Sequence, residues 1–415
     1  MVLTLKNIGK IKNAVIDIKG ITVIGGENDT GKSTIGKSLY SIFNSFYDIE
    51  HKLYEDRKKS ILQILDPFMF RFSLGYQALL DTTNYILKNI EDFRHNNLLK
   101  DFILEKLSET DIKRRPENYV NEIASRIASK IQSIIDIDDD TLLKSYLERE
   151  FRNEFSGQIC SIGSSENSEI KLSIKNNDLI IKFSNEEIIS YENKNDIPIF
   201  SESIYIDDPF MLDTPFDKSS SYIFNHREQL KEKILQNSDI GVSNDIQITK
   251  KFEELFSKLS SVCNGNILKN KDGSLIFKQN DKIYNFNNIS TGLKSFAILK
   301  TLIQKNIIQE NGTIILDEPE VHLHPEWQLV FAELIVLLSK DFSINILVNT
   351  HSPYFLRAIQ VYSSKHSVVD KCKYYLSDVN NDISTITDVT GNIGKIYAKL
   401  SEPLQTLSDE EAYGL

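Results

Sequence analysis

The sequence predicts an α/β fold in which a parallel sheet carries a phosphate-binding loop. Three observations support this prediction. A strand, a glycine-containing loop and a helix follow one another near the N-terminus, helices alternate with apolar strands in the C-terminal third, and polar residues come directly after two of those strands. We therefore expect an α/β unit with an antiparallel β subdomain, interrupted by a large and mainly helical insertion.

The first predicted segment, residues 1–45, contains paired strands and one helix. Residues 2–5 and 14–18 alternate as strands on either side of a turn at Gly9, and residues 21–24 form a short apolar strand. A helix is expected from about Lys32 to Ser45, because apolar residues recur on one of its faces.

The second segment, residues 46–200, is predicted to be a helical insertion that ends in a β-hairpin. Apolar residues recur every three or four positions up to about residue 155, most clearly over 121–135. The acidic run Asp136–Asp140 that follows is typical of a solvated loop, with a metal site as the alternative. Residues 169–175 and 179–183 then alternate like strands joined by a turn.

The third segment, residues 201–390, returns to the α/β pattern, and residues 391–415 form a tail. Helices are expected over about 222–236 and 245–262, followed by hairpin strands with a turn at Asp272-Gly273. Helices and strands then alternate: helix 291–308, strand 313–316, helix 325–339, strand 343–348 and helix 353–361. This alternation is typical of a parallel sheet.

The composition excludes several classes of protein. Asp and Glu (59) outnumber Lys and Arg (48) over 415 residues, a net charge of −11, so nucleic acid contact is possible only through a local basic patch and the charge does not indicate it. Three widely spaced cysteines, Cys160, Cys263 and Cys372, exclude a disulfide scaffold and a thiolate zinc site. Because no apolar run reaches the length of a membrane span and no signal-peptide pattern is present, we expect a cytoplasmic protein with no membrane partner.

A phosphate-binding loop joins the third strand to the first helix. The run GENDTGKS, Gly26 to Ser33, fits G-x-x-x-x-G-K-[ST]. Its glycines let backbone N–H groups face phosphate oxygens, the start of the helix adds its dipole, Lys32 reaches the β- and γ-phosphates, and Ser33 ligates Mg²⁺. We therefore expect ATP and Mg²⁺ as cofactors. The residues expected at the nucleotide are Gly26, Asn28, Asp29, Thr30, Gly31, Lys32, Ser33 and Thr34.

Polar residues at the ends of two later strands complete the predicted site. Asp317 and Glu318 follow the apolar run TIIL, and His351 follows ILVNT. Because parallel strands present their carboxyl ends at the ligand-binding edge of a sheet, Asp317 is placed to hold Mg²⁺, and Glu318 to orient and deprotonate the attacking water. His351 is placed to contact the γ-phosphate or that water.

A Ser-x-Gly turn precedes the helix predicted at 291–308. The turn, Ser290 to Gly292, is either an ordinary helix cap or a second anion site. Since one nucleotide cannot readily use both loops, the second interpretation implies that Ser290 and Gly292 serve a neighbouring molecule.

Taken together, these motifs resemble the ABC-type ATPases. The phosphate loop, the Ser-x-Gly turn, the LDEPE strand end and the strand-end histidine occur in the family order. LDEPEVHLHPEWQ and NTHSPYFL are similar to the soluble SMC-like, RecF-like and OLD-like branch, with related ATPases in bacterial anti-phage systems of the Septu, retron and PARIS type. The resemblance covers about 1–45 and 265–390, and it implies an ABC-ATPase head, a P-loop NTPase fold.

The resemblance also implies how the site is completed. Family members form a head-to-tail dimer with two ATP molecules between phosphate loops and signature turns, so a homodimer or higher oligomer is expected, with Ser290 and Gly292 at the partner's γ-phosphate. His324 occupies the position of the family's D-loop aspartate, and a metal pair of His322 and His324 is the alternative. The signature turn around Ser290 reads ISTGL in this sequence and so departs from the family's motif. The residues after 390 are too few for the nuclease domain of OLD proteins.

The leading hypothesis is an ATPase that dimerises on ATP and controls a partner effector, a nuclease or toxin encoded nearby, in bacterial anti-phage defence. One alternative is a DNA-repair clamp that binds DNA through basic segments such as Arg57–Lys59 and Lys113–Arg115. Another is a scaffold that assembles on ATP with little turnover. The negative net charge modestly favours a basic protein partner over autonomous DNA binding.

Overall fold

The computed structural model describes residues 1–72, 75–96, 98–163, 166–194, 197, 199–214, 225–236, 252–270 and 274–413. The chain divides into a larger unit, Met1–Tyr47 with Glu148–Leu415, and a smaller unit, Asp48–Leu147. The predicted helices at 222–236 and 245–262 lie partly outside the described residues, and the predicted turn Asp272-Gly273 lies wholly outside them.

The strands belong to the larger unit. In chain order they are β1 (Val2–Ile8), β2 (Ile11–Asp17), β3 (Ile21–Gly26), β4 (Ser168–Ile174), β5 (Asn177–Ser184), β6 (Glu187–Lys194), β7 (Ser203–Ile206), β8 (Gly265–Lys269), β9 (Leu275–Gln279), β10 (Lys282–Asn285), β11 (Thr313–Asp317), β12 (Asn345–Thr350), β13 (Cys372–Asn380) and β14 (Ile383–Asp388). Strands β8 to β10 form a small antiparallel sheet, and the others form one large sheet in the order β6-β5-β4-β1-β2-β14-β13-β3-β12-β11-β7.

Five neighbouring strands of the large sheet, β13-β3-β12-β11-β7, run parallel. Every residue of β3 and β11 is buried, as expected for strands covered on both faces. Antiparallel pairs of β1 with β2 and β4, and of β5 with β4 and β6, extend the sheet on one side. This arrangement confirms the predicted α/β fold, and it brings the carboxyl ends of the five parallel strands to one edge.

Helices account for most of the remaining described residues. They are α1 (Lys32–Phe46), α2 (Ile49–Phe72), α3 (Tyr76–Lys88), α4 (Ile90–Asn96), α5 (Leu99–Ser108), α6 (Glu117–Ile135), α7 (Asp139–Phe155), α8 (His226–Leu235), α9 (Glu253–Val262), α10 (Thr291–Gln304), α11 (Pro325–Asp341), α12 (Pro353–Lys365) and α13 (Gly394–Tyr413). The smaller unit has its own core, in which α6 buries Ile127 and Ile131 as the recurrence of apolar residues predicts, together with Ile135. None of these helices combines the length and apolar character needed to cross a bilayer.

The smaller unit is shorter than the predicted insertion of 46–200. The difference arises because β4 pairs with β1, β5 with β4 and β6 with β5, which makes these strands part of the large sheet. The acidic run Asp136–Asp140 connects α6 to α7: Asp138 accepts a hydrogen bond from the Thr141 backbone N–H (2.8 Å), and Asp139 pairs with Arg57 (2.6 Å). Over the part of the chain that the structure describes, no cluster of His, Cys, Asp and Glu side chains is arranged to hold a metal ion.

Candidate functional site

The phosphate loop is held closely between β3 and α1. Gly31 has a φ of +87°, in the region that favours glycine, and a Cβ added at Gly26 would lie 2.3 Å from the Ser377 carbonyl oxygen on β13. Lys32, the first residue of α1, is 4% exposed, and its Nζ donates to the carbonyl oxygens of Gly26 (3.1 Å) and Glu27 (2.6 Å). Burial lowers the pKa of Lys32, and the strand-end carboxylates oppose that shift.

The outer part of the loop faces solvent. Asn28, Asp29 and Ser33 are exposed and Thr34 is half-buried. The hydroxyl of Thr30, which is buried, donates to the Glu27 carbonyl oxygen (2.9 Å) and so closes the loop on itself. The predicted nucleotide-binding residues therefore form one continuous loop with both buried and accessible polar groups.

Asp317 is fixed from two neighbouring strands. It ends β11, is 8% exposed, and accepts hydrogen bonds from the Tyr205 hydroxyl of β7 (2.8 Å) and from Nδ2 of Asn349 on β12 (3.0 Å). The same Asn349 amide donates to the Lys32 carbonyl oxygen (3.1 Å) and so ties the strand end to the phosphate loop. Sequence reasoning missed both partners, although Asn349 lies only two residues before His351.

Glu318 and His351 come together, as the strand-end argument predicts. Glu318 has a φ of +50°, which is uncommon for a residue with a Cβ. Its Oε1 lies 3.3 Å from His351 Nδ1 and 3.7 Å from Lys32 Nζ. The imidazole lowers the pKa of Glu318, and the carboxylate raises the pKa of His351. Behind them Glu320, buried so that its pKa is raised, accepts a hydrogen bond from the His351 backbone N–H (3.2 Å).

The groups predicted to bind the cation line one cavity of about 240 Å³, here called the strand-end cavity. Its walls include Ser33, Asp317 and Glu318, together with Asp207 and His322. Mg²⁺ prefers oxygen ligands and usually keeps several waters while binding one or two protein groups plus substrate phosphates. A hydroxyl and a buried carboxylate facing the same small cavity therefore fit a nucleotide-bound Mg²⁺.

A second cavity of about 680 Å³, the loop cavity, lies against the other side of the phosphate loop. Gly31, Thr34 and Asp29 line it from the loop, and Lys10 lines it from the turn between β1 and β2 and pairs with Asp29. Gln158 and residues 160–163 form another part of the wall, brought there by the β-bridge between Ile8 and Cys160. Sequence reasoning missed this wall because 158–163 carry no motif, and a pairing so distant in sequence leaves no local signal.

The Ser-x-Gly turn lines a third cavity of about 500 Å³, the turn cavity. Ser290, Gly292 and His324 lie there with His322 and Trp327, and His322 also lines the strand-end cavity. The turn is packed tightly, since a Cβ added at Gly292 would lie 3.0 Å from the Trp327 ring. The predicted residues are thus gathered in two places: the phosphate loop with the strand ends, and the turn with His324.

The chain resembles two solved structures and one sequence family. The chain is similar to the SMC head domain from Thermotoga maritima, with 12% identity, a TM-score of 0.41 and coverage of 94% of this chain and 98% of that one. It is also similar to an SMC head bound to the C-terminal winged-helix domain of ScpA, with 13% identity, a TM-score of 0.46 and coverage of 93% and 97%. The sequence profile of the AAA ATPase domain family matches residues 1–356. The chain therefore belongs to the AAA ATPase domain family.

Proposed function

We propose that this chain binds ATP with Mg²⁺ and hydrolyses the γ-phosphate bond. The observation that carries the proposal is the strand-end cavity, where Ser33 of the phosphate loop faces Asp317 and Glu318 at the end of a parallel strand. The position of Lys32, 3.7 Å from Glu318, supports a role for its ammonium beside the β- and γ-phosphates.

Each side chain has a distinct part in the proposed reaction. Bound Mg²⁺ supplies positive charge against the phosphate oxygens; Ser33 and Asp317 would hold it. Glu318, whose pKa is lowered by His351, stays ionised near neutral pH and accepts the proton of the attacking water. His351 lies 3.3 Å from Glu318 and orients it. The imidazole also donates a hydrogen bond to a γ-phosphate oxygen, which gains negative charge during the reaction.

The loop cavity is the proposed place of the nucleoside. It begins at Thr34 and Gly31, where the phosphates would end, and its volume of about 680 Å³ lies within the usual range of small-molecule sites. Cys160 and Ile162 on the opposite wall would cover the base.

We further propose that the active form is a head-to-tail homodimer. Ser290, Gly292 and His324 line the turn cavity rather than the strand-end cavity that holds Ser33. A turn that offers an anion site away from its own phosphate loop fits a second copy, whose γ-phosphate it would contact. In a two-fold dimer the interface is isologous, so the loop of each copy meets the turn of the other and two equal sites result.

The cellular role proposed is control of a partner effector, a nuclease or toxin, in anti-phage defence in the cytoplasm. The support for this role is the resemblance of the LDEPE and NTHSP segments to those of the soluble ATPase branch that includes bacterial anti-phage systems. One of the basic segments that a DNA clamp would use, Arg57–Lys59, carries less free charge than its sequence suggests: Arg57 pairs with Asp139 (2.6 Å) and Lys58 with Glu55 (3.0 Å). This pairing favours a protein partner over direct DNA binding.

The proposal is tested by comparing ATP turnover and molecular mass in two variants. Glu318→Gln should bind ATP, lose at least about a hundredfold in turnover and accumulate as an ATP-bound dimer in size-exclusion chromatography with light scattering. Lys32→Ala should lose nucleotide binding. Glu117→Gln, an exposed change in α6, is the matched control and should behave as wild type. Unchanged turnover in Glu318→Gln would contradict the assignment of the catalytic base.

A further inference from the structure

A buried histidine outside the predicted site is enclosed by two carboxylates. His226 is the first residue of α8 and is 5% exposed. Its Nδ1 lies 2.7 Å from Glu154 Oε1, and its backbone N–H donates to the other oxygen of Glu154 (3.2 Å). Its Nε2 lies 3.1 Å from Asp207 Oδ2. The ring therefore contacts Glu154 through Nδ1, and its Nε2 lies at ion-pair distance from Asp207 without a hydrogen bond to any described residue.

The contacts of His226 with Asp207 and Tyr205 connect it to the strand-end cavity. Asp207 follows β7 and lines the strand-end cavity beside Ser33 and Asp317. The His226 ring also stacks on Tyr205, with centroids 4.3 Å apart and planes inclined by 20°. Because the Tyr205 hydroxyl donates to Asp317 Oδ2 (2.8 Å), His226 contacts one wall residue of the cavity directly and supports a second through one intermediate.

The charges in the cluster are matched. Burial alone lowers the pKa of His226, but the hydrogen bonds and charges of Asp207 and Glu154 outweigh it and raise the pKa to about 9. Burial likewise raises the pKa of Asp207, while His226 and Arg227 together bring it down to about 2. An imidazolium between two carboxylates is thus the stable form at neutral pH. Hydrophobic residues of similar volume are often at least as stabilising as such a buried group, so its presence beside the cavity calls for a positional explanation.

We propose, on the basis of the ATPase function proposed above, that His226 is a positioning residue for the cation site. It holds Asp207 at the cavity wall and Tyr205 against Asp317, and Glu154 fixes the orientation of its ring. Residues behind metal ligands typically change metal affinity by about 10- to 100-fold when they are replaced. The role concerns the cation rather than the phosphate loop, since the partners found for Lys32 Nζ among the described residues are the Gly26 and Glu27 carbonyls and Glu318, not His226, Glu154 or Asp207.

The test is a Mg²⁺ titration of the binding of a non-hydrolysable ATP analogue by the full chain, read by calorimetry. His226→Gln should raise the Mg²⁺ concentration for half-maximal binding about tenfold, and affinity for the analogue in EDTA should stay within about twofold of wild type. Glu154→Gln should shift the Mg²⁺ midpoint in the same direction, and it serves as the second variant if His226→Gln does not fold. His366→Gln is the matched control, because the His366 side chain is only 8% exposed and is paired with a carboxylate, Glu333 (3.1 Å), that does not line the cavity.

The results separate the two proposals. If wild-type protein binds the analogue with Mg²⁺ but both cluster variants keep the midpoint of His366→Gln, the positioning role is overturned and the ATPase proposal stands. An equal loss of affinity with Mg²⁺ and with EDTA would also overturn it, since that pattern indicates general distortion. Failure of the wild-type chain to bind the analogue at all would instead contradict the proposed function.

Discussion

Replacement of Asn349 by leucine tests the connection between the phosphate loop and the strand end. Asn349 is completely buried, and its Nδ2 donates to the Asp317 carboxylate (3.0 Å) and to the Lys32 carbonyl oxygen (3.1 Å). A hydrogen bond to a charged group contributes about 1.5–3 kcal/mol and a neutral one about 0.5–1.5 kcal/mol. The Oδ1 atom of Asn349 has no hydrogen-bond partner among the described residues. Replacing this unpaired buried oxygen by an apolar group therefore offsets about 1–3 kcal/mol of the lost stability.

The net expectation for Asn349→Leu is a loss of about 1–2 kcal/mol in the free energy of unfolding, together with weaker Mg²⁺-dependent ATP binding because Asp317 loses a fixed partner. Urea unfolding and calorimetry measure the two effects. Asn345→Leu, at the opposite end of β12, removes the acceptor of one backbone hydrogen bond from Gly20 (3.1 Å) and is the matched control. It should lose a similar amount of stability but bind ATP normally. If Asn349→Leu bound ATP and Mg²⁺ as well as Asn345→Leu does, the reasoning would be refuted.

Three further predictions concern stability, the nucleoside and the turn. Glu333 is buried against Lys258, Lys365 and His366, and although burial raises its pKa, these partners bring it to about 2. A lowered carboxyl pKa stabilises the fold above pH 4.5 and less as pH falls towards 2; because solvent screens the partly exposed lysines, Glu333→Gln should cost about 1–3 kcal/mol at pH 7, and the difference should shrink in acid unfolding curves. Cys160 lines the loop cavity while the other two cysteines are buried, so bound ATP should slow the alkylation of Cys160, followed by mass spectrometry. Equal rates with and without ATP would contradict the proposal that the nucleoside binds in this cavity. Gly292→Val should abolish turnover but not ATP binding, because an added Cβ lies 3.0 Å from a tryptophan ring; full turnover in a phosphate-release assay would argue against a role for the turn.

Local sequence signals account for much of the candidate site. The phosphate loop and the strand-end residues Asp317, Glu318 and His351 could be predicted because each follows an apolar strand and because parallel strands share one edge. The structure brings the carboxylate of Glu318 to 3.3 Å from the imidazole of His351, as that argument requires. These features depend on residues close together in the chain, so periodicity and motif spacing suffice to find them.

Contacts between distant segments could not be predicted in the same way. Tyr205 contacts Asp317 across 112 positions in the chain, and His226 meets Glu154 across 72; neither pair leaves a periodic or motif signal. The predicted end of the insertion at residue 200 also concerns a contact between distant segments. Alternation identified the strands near 169–183, but not their pairing with β1, which joins Leu3 to Leu172.

The central claim, that one copy's phosphate loop works with another copy's Ser-x-Gly turn, is tested most directly by mixing two inactive variants. Lys32→Ala damages only the loop and Gly292→Arg only the turn, so a mixed dimer contains one site with both defects and one site with neither. Equal amounts of the two proteins should regain ATP turnover, up to about a quarter of the wild-type rate if dimers form at random and sites act independently. A mixture no more active than either variant alone would contradict the shared site.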